Sequence, residues 1–182
     1  MPSASVEESI SSLQLTKSAP WQAGRRSQVT AVLGRPIGDG VAMGDEHSRM
    51  LALAIRLAER AAAGESLSLV ERAIADIMWI DTLVSPNGFD GWLAYTSCER
   101  MRRTMQALAE IGCGDVLDVV EEALEIVGVD PHRMTDQERE RRMDSLTDAE
   151  RARLGNADSR FYDVFGPSMG MCERYARQKG VL

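Results

Sequence analysis

Gly114-Asp115-Val116-Leu117-Asp118-Val119-Val120-Glu121-Glu122-Ala123-Leu124-Glu125-Ile126-Val127 is the stretch that decides the fold. Placed on a helical wheel at ~100° per residue, Val116, Leu117, Val120, Ala123, Leu124 and Val127 fall on one half. Asp115, Asp118, Glu121, Glu122 and Glu125 gather within about 120° of the other half. Read instead as a strand, the same residues would scatter acids over both faces of a sheet. The segment is therefore an amphipathic helix, and Gly128 followed by Pro131 supplies its stop.

The same period extends outward in both directions. In Asp45–Ala63, Met50, Leu53, Ala54, Leu57 and Ala61 recur at three and four, with Gly64 ending the run. Ser66 is expected to cap a second helix with the stripe Leu67, Val70, Ile74 and Ile77. Pro86-Asn87-Gly88 should end that helix near Ser85, because a proline disfavours helix in the residue before it and Asn-Gly favours a turn. Phe89–Tyr95 then reads as a short helical return, and Glu99–Ile111 as a helix stopped by Gly112.

After a charged stretch, Asp136–Arg153, a final helical segment is predicted over Ser159–Gln178, broken or kinked at Gly166-Pro167. Trp79, Phe89, Trp92, Leu108, Leu117, Val120, Leu124, Phe161 and Phe165 form the predicted core. Residues 1–43, rich in Ser, Gly and Pro, form a predicted irregular arm, with a short helix around Val6–Leu15 and a strand at Gln28–Leu33 as candidate elements. The expected fold is all-α: a compact multi-helix bundle over 44–182 with an irregular N-terminal arm.

Composition agrees. The chain has 182 residues, 44% hydrophobic but only 5% aromatic, a balance that favours helix over sheet and suffices for one core. No apolar run approaches the ~20 residues of a membrane span, and no segment resembles a signal peptide. Cys98, Cys113 and Cys172 are three in number and widely spaced, which reads as buried reduced thiols in a cytoplasmic protein.

Three matches to catalytic patterns fail on context. Gly166-Pro167-Ser168-Met169-Gly170 fits a nucleophile elbow, but it lies in helical sequence and both histidines, His47 and His132, precede it. The Gly34–Gly40 glycines and the Tyr175/Lys179 pair need a parallel sheet that the intervening helices exclude. His47 and His132 have no partner at ligand spacing and read as surface or capping residues. A ligand-binding or enzymatic bundle around Asp90, Trp92 and Tyr95 lacks a base–nucleophile pair. No catalytic residue, metal site or cofactor is expected.

Charge distribution is the informative feature. The formal charge is −7, which argues against direct nucleic-acid binding. Between Thr104 and His132 stand seven carboxylates (Glu110, Asp115, Asp118, Glu121, Glu122, Glu125, Asp130) and no Lys or Arg. The remaining 21 acids are matched by 21 bases, so this window carries the whole excess. Its helix lines five carboxylates over ~15 Å, an average of ~4 Å each, from the rise of 1.5 Å per residue. A DNA strand carries one charge per about 3.4 Å. Arg100, Arg102 and Arg103 lie just upstream, and they either neutralise this face or point elsewhere.

Two further stretches carry a family likeness. Pro86-Asn87-Gly88-Phe89-Asp90-Gly91-Trp92-Leu93, then Ala107-Leu108-Ala109-Glu110-Ile111-Gly112-Cys113, then Leu154–Tyr162 with Asp158, Phe161 and Tyr162, resemble a family of small bacterial helical proteins named for a DNA-mimic member. The likeness spans about residues 66–178. It departs at Pro86, where the family has N-G-G-F, at Gly91, where it has Gln, and at Tyr95, where it has Asn. The family-like turn is Asn87, Gly88, Phe89 and Trp92.

The resemblance implies an all-helical dimer and, in the named member, a surface that imitates duplex DNA and occupies a DNA-binding protein. The expected function is a non-enzymatic acidic interaction protein, a DNA mimic that binds a basic partner through Asp115, Asp118, Glu121, Glu122 and Glu125. The alternative is an immunity or antitoxin-like protein that neutralises a toxin enzyme.

Overall fold

The computed structural model describes residues 45–182, and everything below concerns them. The expected arm, its candidate helix and strand, and the Gly34–Gly40 glycines lie outside the described residues. Six helices and no strand make up this part of the chain: α1 Asp45–Ala62, α2 Leu69–Tyr95, α3 Cys98–Ile111, α4 Gly114–Val127, α5 Asp136–Asp144 and α6 Asp148–Gln178. The all-α expectation holds.

Local chemistry sets the boundaries. Gly112 and Gly128 end α3 and α4 in left-handed conformations, with φ of 87° and 66°. Helix α2 starts at Ser68 rather than the expected Ser66. Only Ser68 has a glutamate three residues on, and the two close a capping box: the Glu71 N–H donates to Ser68 Oγ (3.2 Å), and the Ser68 N–H to Glu71 Oε2 (2.8 Å). This holds the Glu71 carboxyl down at about 2, first through that backbone donor and then through Arg60. Thr135 with Glu138 and Thr147 with Glu150 start α5 and α6 in the same way. The charged stretch 136–153 is thus the whole of one helix and the first turns of another.

Of the two expected breaks, the one near Ser85 falls at Gly88 instead, and the one at Gly166-Pro167 is absent. Helix α2 runs through Pro86 and is interrupted only at Gly88 (φ 65°, ψ −174°), so Phe89–Tyr95 is a second segment set at a kink. Helix α6 continues through Gly166-Pro167 over 31 residues. A proline inside a helix forfeits one N–H bond; here tertiary packing overrides that loss, because Phe161, Phe165, Met169 and Cys172 on either side are all buried.

Helix α6 is the spine of the bundle, packing on α1, α2, α3 and α4. Phe161 stacks on Phe165 (4.7 Å between centroids) and meets Phe89 edge-on (5.6 Å), and Phe89 meets Trp92 edge-on (6.0 Å). Seven of the nine predicted core residues are buried; Trp79 and Leu117 are only half-buried. Trp79 lies at the rim of the core, its Nε1 donating to the buried Thr96 Oγ1 (3.2 Å) and its ring covered by the Arg100 guanidinium at 4.3 Å. Leu117 lies at the edge of the α4 stripe, whose buried side is wider than the wheel implied and takes in Val119 and Ile126.

Candidate acidic face on α4

The acids of α4 emerge from the constraint that buries its valines. Val116, Val119, Val120, Ala123, Leu124, Ile126 and Val127 face the core. The remaining arc carries Asp115, Asp118, Glu121 and Glu125, all exposed, and Glu122, half-buried. Among the described residues no cation lies within ion-pairing distance of Asp115, Asp118, Glu121 or Glu125. Glu122 differs, for it pairs with Arg160 of α6. Four of the five carboxylates thus have no cationic partner among the described residues.

The upstream arginines point elsewhere. Arg100 and Arg103 both donate to the buried Asp76, at 2.6 and 2.8 Å, and Arg102 donates to the Pro131 carbonyl at 2.9 Å. Asp76 needs them, since a carboxylate this buried is costly without paired donors. At the margins, Glu110 accepts from the Tyr175 hydroxyl (2.6 Å), which pushes that phenol up to about 12. Asp130 accepts from the His132 N–H (2.9 Å) and pairs with Arg133 (3.3 Å).

The family-like turn has a structural role. Gly88 adopts a left-handed φ, and a Cβ there would lie 2.3 Å from Asp158 Oδ2. Asp158 Oδ1 accepts the Phe89 N–H at 2.7 Å, capping the second segment of α2 from α6. The Tyr162 hydroxyl, 3.0 Å from both the Val84 and Ser85 carbonyls, serves the end of the first segment. Phe89 and Trp92 go into the core, and Asn87 stays exposed. Gly91 follows from the same kink, because a Cβ there would lie 2.4 Å from that of Asn87.

Three of the rejected patterns take structural places. Ser168 is buried in α6 and its hydroxyl donates to the Val164 carbonyl (2.8 Å). The Lys179 amine lies 5.5 Å from the centre of the Tyr175 ring, while the Tyr175 hydroxyl is bound to Glu110. His132 is exposed, as expected, but His47 is not a surface residue. Its Nε2 is 3.2 Å from Asp81 Oδ2, its ring meets Phe165 edge-on, and Asp81 also accepts from Ser85 Oγ (3.0 Å). Sequence offered no signal for this pair, since its members lie in different helices.

A buried arginine was equally hidden. Arg139 is 3% exposed and donates to the Leu93 and Ala94 carbonyls, closing the end of α2 from the middle of the charged stretch. Among the described residues no group of three or more His, Cys, Asp or Glu side chains is arranged to hold a metal ion, and no helix is long and apolar enough to cross a membrane.

The described residues thus form an all-helical protein with a clamped kink and a helix face on which, among those residues, only Glu122 meets a cation. The chain belongs to the DMP19-like protein family, whose sequence profile matches residues 65–179. No curated protein and no solved structure matches it.

Proposed function

We propose that this chain is a non-enzymatic interaction protein whose α4 face, Asp115, Asp118, Glu121, Glu122 and Glu125, imitates a phosphate backbone and occupies a basic DNA-binding protein. The observation that carries this reading is the contrast in charge pairing. Buried acids that join helices elsewhere in the bundle, such as Asp76 and Glu173, have cationic partners, and Asp158 has a backbone donor, whereas four exposed acids along one face of α4 have no cation within reach among the described residues. Like charges at i+3 and i+4 cost ~0.2–0.5 kcal/mol per pair. A basic surface would turn that repulsion into attraction, and membership of the DMP19-like family supports the same direction.

The test begins with capture of partners from the source cell. A DNA-binding protein supports the mimic, and a toxin enzyme supports the alternative of an immunity or antitoxin-like role. Affinity for the captured partner is then measured at two salt concentrations for the parent and for Asp118→Lys/Glu125→Lys, seven residues apart on one face. The double variant should bind at least ~10-fold more weakly and respond less to salt, because complementary charge governs steering and specificity. Equal affinity of the two proteins would remove the mimic.

A further inference from the structure

Two of the three cysteines meet in the core. Cys113 and Cys172, 59 residues apart in sequence, bring their sulfur atoms to 3.8 Å, and their exposures are 2% and 1%. That is a non-bonded sulfur contact, and a disulfide requires about 2.05 Å. Each sulfur would therefore move by less than about 1 Å if both approach equally.

The surroundings favour such a movement. Cys113 stands between α3 and α4 with φ −81° and ψ 57°, at the N-cap of α4, and its side chain makes no capping bond. It is flanked by Gly112 and Gly114. A Cβ on Gly114 would meet nothing within 4 Å, and one on Gly112 only the terminal methyl of Met171, at 3.2 Å. Cys172 is fixed in the long helix α6. One sulfur is thus carried on an inter-helix corner flanked by two glycines, and the other within a continuous helix.

We propose that Cys113 and Cys172 form a redox-active dithiol that a peroxide closes to an intramolecular disulfide, tying the start of α4 to the last third of α6. The Cys113 thiolate attacks one peroxide oxygen, the O–O bond breaks, and hydroxide leaves, giving a sulfenic acid. The Cys172 sulfur then attacks Cys113 Sγ, the S–O bond breaks, and water departs with the Cys172 proton. Two thiols lose two electrons and hydrogen peroxide becomes two waters.

Cys113 is the attacking sulfur because local opening of the α3–α4 corner that carries it brings it to the peroxide first. The hydrogen bond between the sulfurs lowers the Cys113 thiol and raises that of Cys172, which keeps its proton. Cys98 lies apart from the pair: burial, and then the neighbouring Asp136 carboxylate, push its thiol up. Because the pair is buried, closure depends on local opening of the α3–α4 corner, and its rate should rise with any change that loosens that corner.

The experiment uses the full chain, reduced, treated with hydrogen peroxide, quenched by alkylation under denaturing conditions, and read by intact mass and non-reducing peptide mapping. The expected product has lost two hydrogens, carries a Cys113–Cys172 link, keeps Cys98 alkylated, and reverts with dithiothreitol. Its melting temperature should exceed that of the reduced protein by ~5 °C or more, because the link closes a long loop.

Cys98→Ala should close like the parent. Cys113→Ser, which leaves a favourable N-cap residue, should fold and lose no hydrogens, and it keeps the test interpretable even if Cys172→Ala is too damaging to fold. Sulfinic acids at Cys113, or intermolecular dimers through Cys98 with no Cys113–Cys172 link, would overturn the proposal.

Discussion

The kink in α2 and the outer face of α4 are both built from residues that look unusual in sequence, and the bundle treats them in opposite ways. At the kink Gly88, Phe89, Asp158 and Tyr162 are answered across two helices. Gly88 makes room for Asp158, Asp158 caps Phe89, Phe89 packs on Phe161, and Tyr162 serves the carbonyls of Val84 and Ser85. On α4 the distinctive residues meet no cation among the described residues, apart from Glu122 with Arg160. A motif whose members satisfy one another accounts for a fold. A row of like charges that nothing satisfies does not help the fold, and a reason for it has to be sought outside the chain. The two regions should therefore separate cleanly under mutation.

The largest effect belongs to the aromatic contact behind the kink. Phe161→Ala removes a fully buried ring that touches both Phe89 and Phe165, and should cost ~3–5 kcal/mol in a denaturant melt. A loss below about 1 kcal/mol would mean that α6 repacks freely over the joint, and the kink would lose its status as a structural anchor.

Next come the polar members of the joint. Asp158→Ala strands the Phe89 N–H and should cost ~1–2 kcal/mol, as loss of a helix cap does. Gly88→Ala demands a positive φ and drives a Cβ into the Asp158 carboxylate, so a cost of at least ~1 kcal/mol is expected. The double variant should be less damaging than the sum of the two, because removing Asp158 also removes the collision. Strict additivity would show that the two residues act separately.

The comparison also explains what was legible in advance. Helices α1, α3 and α4 were readable because their apolar residues repeat on a helical period and end at glycine, signals that lie within one segment. The Asn87–Trp92 turn and the Asp158–Tyr162 segment were each visible, but not as two halves of one joint, since they meet only when α2 and α6 pack. For the same reason Ser68 rather than Ser66, unbroken α6, His47 with Asp81, and Arg139 under the end of α2 went unread. The α4 face was legible as an arc of acids. Its lack of cations was not, since sequence could not say that Asp76 would draw away Arg100 and Arg103.

A smaller effect lies at the junction of α1 with α2. Asp81, by its hydrogen bond first, raises the His47 imidazole above its ordinary 6.5, against the opposing effect of burial. A group raised on folding stabilises fully below its unfolded value and loses that contribution as pH rises through its folded value. The stability of the parent relative to His47→Gln should thus be greatest near pH 6 and shrink toward pH 9. A gap that widens with pH would mean that His47 acts as a neutral hydrogen-bond partner of Asp81, not as a cation.

The smallest effect is expected on α4, and its smallness is the point. Asp118→Lys/Glu125→Lys replaces two exposed carboxylates with no cation nearby among the described residues, so thermal and chemical melts should show no loss beyond ~0.5 kcal/mol. The direction should be toward greater stability, because Asp118 repels Glu121 and Glu122, Glu125 repels the same two, and lysine would attract them. Glu122→Gln should move the opposite way by a similar amount, since it breaks the pair with Arg160. A loss of ~2 kcal/mol or more in the double lysine variant would show that the acids hold some part of the fold together. The acidic face would then resemble the kink, a region whose residues are explained from within, and the case for an external basic partner would lose its main support.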